Sequence, residues 1–138
     1  MPRLAAILLT IWAGSLWTIC AFVAPLLFAT LERAQAGRMA GRLFGIEAWL
    51  GAGLALALMA LGTRSRALAL RLSPPWLIAA TAAAPLISEL TLDPMMRAAG
   101  AAGDAHSFAL VHGISAVLFF ASCLGALALV WRFNRPVG

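Results

Sequence analysis

Four apolar runs, at 4–31, 43–62, 74–92 and 108–131, take up most of this 138-residue chain. A helix that crosses the hydrocarbon core of a bilayer needs roughly 20 consecutive apolar residues, and each run is about that long or longer. The residues left over form three short connections and two stubs, too little for a soluble domain. The expected fold is therefore an all-α membrane protein: one transmembrane domain over 1–138, a four-transmembrane-helix bundle running up and down, with both termini cytoplasmic.

The orientation rests on arginine. The chain has ten basic residues, all arginine, five acidic residues and a net charge of +5. Basic residues collect in cytoplasmic loops. Arg3, Arg64, Arg66, Arg71, Arg132 and Arg135 fall on one side of a four-span arrangement. Arg33, Arg38, Arg42 and Arg97 fall on the other, diluted by Glu32, Asp93 and Asp104. The six-to-four bias puts the termini inside. The arginines are scattered between apolar runs and not interleaved with aromatics on one face, so no nucleic-acid partner is expected; the partners are the lipid bilayer and a homo-oligomer or another membrane protein. The first run exceeds the 7–15 residues of a secretory core, and Pro25 would follow any cut after "AFVA", so it is read as a retained helix. Cys20 and Cys123 are read as two buried thiols at different depths.

Small residues at a spacing of four let helix backbones approach closely in a membrane. Gly14 and Thr18 form such a pair in the first span, and Gly51 and Ala55 another in the second. Pro25 is expected to kink the outer third of span 1, with Pro85 a second mid-span proline and Asp93-Pro94 the end of span 3. Trp12 and Trp17 lie deep enough to pack against other helices. The stretch 31–44 reads either as a short interfacial helix or as a polar turn, and 95–105 as a small, flexible loop. A faint internal echo, "APLLFATL" at 24–31 against "APLISELTL" at 84–92, suggests two hairpins in the same orientation.

The ionisable residues within the spans gather in the outer, periplasmic half: Glu47, Glu89 and His112, with Asp93, Asp104 and His106 above them. Charged groups in a membrane are costly and usually face the bundle and pair with one another. The expected arrangement has His112 pointing inward, level with Glu89 and near Glu47, each one to two turns below the outer end of its helix. His106, about 120° from His112 on an ideal helix, belongs to the rim. Three readings follow. The cluster is interhelical hydrogen bonding; or a metal or cofactor site, with Met39, Met95 or Met96 as further ligands and copper or haem as the group held; or a proton- or cation-coupled translocation site of Glu89 and His112. No nucleophile with its base, phosphate loop or zinc knuckle is present, so the chain is not expected to be an enzyme. Binding or transport of a small molecule or ion at the cluster is the leading function, and a non-catalytic scaffold for other membrane proteins is the alternative.

Three stretches carry a resemblance. In 14–44, Gly14 and Trp17, then Ala24, Pro25 and Phe28, then Ala36, Gly37, Gly41 and Phe44 are similar to the first-hairpin pattern of a bacterial domain-of-unknown-function family related to eukaryotic transmembrane protein 205. In 108–120, Phe108, His112, Gly113 and Ser115 resemble that family's last-helix F-x-x-x-H-G-x-S. The segment 91–100 is a looser match. The resemblance implies a four-span, multi-pass integral membrane protein, in bacteria one of the inner membrane, and brings no activity with it.

Overall fold

The computed structural model describes residues 1–135, so residues 136–138 of the expected domain lie outside it. Four long helices, α1 (Pro2–Thr30), α2 (Arg33–Arg64), α4 (Pro75–Ala101) and α5 (Ala105–Phe133), are long and apolar enough to cross a membrane. A short helix, α3 (Arg66–Arg71), joins α2 to α4. No strand occurs among the described residues.

Two boundaries differ from those expected. The second span begins at Arg33, not 43, because 31–44 continues into α2 instead of forming a turn or a separate surface helix. Gly37 and Gly41 each cost a helix about 1 kcal/mol relative to alanine, but Ala36 and Ala40 in the same turns are buried, and that packing holds the segment helical. At 32 residues α2 is about 48 Å long at 1.5 Å per residue, well beyond the ~30 Å hydrocarbon core. The third span likewise runs through Asp93-Pro94 to Ala101, which reduces the expected 95–105 loop to a turn. Gly103, at φ 70°, makes that turn in the left-handed region open to glycine. Asp104 then caps α5, accepting from the Ser107 backbone N–H at 3.0 Å. At the other connection Ser65 caps α3 through the Leu68 N–H.

The reason a helix can run through proline is visible in α1 and α4. Residues Ile19–Val23 and Ser88–Leu92 each form a π-helical turn, followed by Pro25 and Pro94 within the first turn of the next α-helical segment. Proline offers no N–H to the carbonyl four residues back and its ring collides with that group. The wider i→i+5 turn accommodates the ring without ending the helix.

Each long helix packs against two antiparallel neighbours. Within the first hairpin, the Trp12 indole of α1 lies over Gly51 of α2. Within the second, Thr81 of α4 lies over Gly125 of α5. The hairpins join through α1 and α5, where Trp17 Nε1 donates to the Cys123 carbonyl at 3.0 Å, and through α2 and α4. The Cys123 thiol donates to the Leu16 carbonyl, one turn from Cys20, so the two free cysteines lie closer in depth than counting along the helices suggests. Trp12 and Thr81 each stand thirteen residues before the proline that follows a π turn. The internal repeat therefore aligns Pro25 with Pro94, and not with Pro85 as the sequence echo implied.

The core is a single cluster that includes Leu9, Trp12, Leu16, Leu58, Ile78, Cys123 and Leu129. Large apolar side chains also cover the outside: Phe22, Trp49, Leu56, Trp76, Val117 and Trp131 are each more than 60 % exposed. An exterior as apolar as the interior suits a lipid surround and not water.

Candidate functional site

Glu47 is the most deeply buried carboxyl. It lies fourteen residues into α2, about 21 Å along the axis, and is only 3 % exposed. The expected depth of one to two turns is corrected by the earlier start of α2, which puts Glu47 near the middle of its helix. Ser15 Oγ of α1 donates to Glu47 Oε1 at 2.9 Å, and the same hydroxyl lies 3.0 Å from the Trp12 carbonyl. The one ion pair among the described residues is Asp93–Arg97, so Glu47 has no cationic partner there.

Glu89 stands in the second π turn, within the bundle wall and half-buried. Its carboxyl lies against the backbone of Gly45, with Oε1 2.9 Å from where a Cβ would sit. Gly45 and Glu47 are two residues apart on α2, so both carboxyls meet that helix at nearly the same level. They come from different sides, Glu89 from α4 and Glu47 towards α1, and do not form a pair. Beside Glu89, the Ser88 and Ser115 hydroxyls are hydrogen-bonded between α4 and α5.

His112 does not join them. Its side chain is on the exposed face of α5, stacked on Phe108 one turn earlier with ring planes 7° apart. Ser115 and Phe119, further along α5, turn inward; His112 sits at the edge of the arc they define and swings out to the aromatic ring. The expected inward histidine is therefore corrected. His106 is exposed in the first turn of α5. Asp93 is engaged by Arg97 on its own helix.

The expected metal or cofactor site fails on the same geometry. No three His, Cys, Asp or Glu side chains among the described residues are placed to hold a metal ion. Met39 and Met95 are exposed at 49 % and 54 %, and His112 points away from both carboxylates. These residues do not fit copper or haem.

The packing positions divide. Gly51, Ala55 and Pro85 are buried. Gly14, Thr18 and Pro25 are exposed, and a Cβ at Gly14 would meet nothing within 4 Å. The sequence reading missed Ser15, Gly45 and Gly125. Ser15 lies between Gly14 and Thr18, whose spacing of four is the more conspicuous pattern. Gly125 lies four residues before the buried Leu129, in a stretch too uniformly apolar to mark it.

Fold and site together define a four-helix integral membrane protein with two acidic residues carried inside its bundle. The chain belongs to the family described as Domain of unknown function (DUF4149), whose model matches residues 7–105. The match takes in the motifs at 14–44 and 91–100 and stops before 108–115, so His112 lies outside it. No curated protein and no solved structure matches the chain.

Proposed function

We propose that this protein binds and passes an ion, the proton, at the level of Glu47 and Glu89, by binding or transport and not by an enzymatic step. The observation that carries the reading is Glu47: a carboxyl at mid-helix, 3 % exposed, held by a serine hydroxyl with no cation beside it. An ionisable group kept inside a membrane bundle against its desolvation cost is by default a functional one. A carboxyl and a hydroxyl offer too few oxygens for calcium or magnesium, whereas a proton needs a single lone pair. The Ser88–Ser115 contact puts two hydroxyls beside Glu89 at its own level, short of the end at which α1 turns into α2. The arginine distribution favours both termini on the cytoplasmic side, which puts that end outside.

The test is proton flux into liposomes holding an entrapped pH dye, driven by a potassium diffusion potential. Wild-type protein is expected to pass protons above the empty-liposome rate, Glu47→Gln to abolish the excess, and Glu89→Gln to reduce it. A wild-type rate equal to that of empty liposomes, or an unchanged rate in Glu47→Gln, overturns the proposal.

The scaffold reading has its own support in the outward small residues Gly14, Gly53 and Gly113, whose Cβ positions are open. Loss of a co-purifying membrane protein on Gly14→Leu, with proton flux absent, would favour it.

A further inference from the structure

At the end of the bundle opposite the α1–α2 turn, a groove of about 460 Å³ opens on the outer surface between α2, α3 and α4. Its walls are apolar, with Leu58, Met59, Leu70 and Ile78 among them, and Thr63 and Arg66 stand at its polar edge. From the wall and edge together we infer that the groove holds an acyl chain of an anionic glycerophospholipid, with the lipid phosphate at Arg66 and Thr63.

Three observations argue for that occupant. The first is charge. Arg3, Arg64, Arg66, Arg71, Arg132 and Arg135 are all at this end, whereas all five acidic residues lie in the other half of the bundle. Nothing acidic competes for these arginines, and a basic pocket between helices at the membrane surface suits an anionic head group. The second is availability. Arg71 donates to the Phe133 carbonyl and Arg132 to the Ser73 carbonyl, while Arg135 lies over Trp131. Arg66 makes no hydrogen bond or ion pair among the described residues and is exposed. A guanidinium presents paired N–H donors that match phosphate oxygens. The third is depth. Arg66 opens α3 directly after α2 ends, at the level of head groups, and the apolar wall runs from there toward the acyl region. A second copy of the chain is a poorer occupant, since a two-fold contact would bring this acid-free, arginine-rich end against itself.

The experiment uses protein purified from nanodiscs of equal phosphatidylglycerol and phosphatidylcholine, with the retained lipid quantified by mass. Wild type is expected to retain phosphatidylglycerol several-fold over its share. Arg66→Gln should return the ratio to that of the disc, and Met59→Trp, which fills the groove from a position already 40 % exposed, should lower total retained lipid. Arg38→Gln makes the same charge change at the other end and should match wild type. Equal retention of the two lipids by wild type overturns the inference, as does an equal loss in Arg38→Gln. So does a Met59→Trp variant that turns a dimer into a monomer while keeping its lipid, which would assign the groove to a second copy.

Discussion

The Ser15 hydroxyl and the Glu47 carboxyl meet at 2.9 Å between α1 and α2, near the middle of both helices. A buried acceptor left without its donor costs about 1–3 kcal/mol. Ser15→Ala should therefore lower thermal stability in detergent by an amount in that range. Replacing both groups, as Ser15→Ala with Glu47→Met, should cost less than the single change, because no polar atom is then stranded. A double variant as unstable as the sum of the two singles would show that the pair is not coupled.

Gly51 is the next test. A Cβ there would lie 2.9 Å from Trp12 Nε1, and Trp12 is 1 % exposed, so the indole has little room to retreat. Overpacking of this kind typically costs about 1–3 kcal/mol, which Gly51→Ala should show as a reduced melting temperature and Gly51→Leu should exceed. Gly53, two residues on, has open space at its Cβ position. Gly53→Ala should be neutral, or stabilising by up to about 1 kcal/mol through helix propensity.

The second hairpin should behave as the first. A Cβ at Gly125 would collide with the side chain of Thr81, so Gly125→Ala is expected to destabilise by about 1–3 kcal/mol. Thr81→Ala should relieve most of that loss in the double variant. Additive losses would place the strain elsewhere.

Asp104 gives a pH dependence outside the membrane-spanning part. The Ser107 hydroxyl and then the Ser107 backbone N–H hold its carboxyl below the ordinary value of 3.8. A carboxyl lowered in the folded state contributes stability that is complete above its ordinary value and is lost as pH falls through the lowered one. The Ser107 amide should thus exchange slowly with solvent from neutral pH down to about 4, relative to its intrinsic rate, and lose protection only in stronger acid. In Asp104→Ala that protection should be missing at every pH, and an unchanged exchange rate would contradict the cap.

Topology is open to reporter fusions. A fusion at Arg66 should read cytoplasmic and one at Gly103 periplasmic, from the excess of arginine at the first of these ends. The reverse pattern would move the Glu89 side of the site to the cytoplasm.

The spans were legible because twenty apolar residues leave a chain few alternatives, but the direction each side chain faces was not. In helices apolar all round, hydrophobic periodicity does not say which side is inside. Gly51–Ala55 and Gly14–Thr18 have the same spacing, yet Trp12 enters at Gly51 and nothing enters at Gly14. The helix that owns the large partner decides, and that is a fact about two segments at once. His112 shows the same limit: at the edge of an arc, a neighbouring Phe108 was enough to draw it outward. Span ends were misjudged at Arg33 and Pro94 for a local reason, since glycine and proline read as breakers unless a buried neighbour or a π turn absorbs them.

The π turns at Ile19–Val23 and Ser88–Leu92 have the arithmetic of one added residue. Each such residue rotates everything beyond it by about 100°. In α1 and α4 the face shown to the bundle is therefore chosen twice, once for the half holding Trp12 or Thr81 and again for the half beyond. A single-residue deletion inside either turn would take out that added residue and close the turn to an ordinary α-helical one, with Leu27 or Met96 facing as before, whereas a deletion elsewhere in α1 or α4 would swing the half beyond it round to a different neighbour.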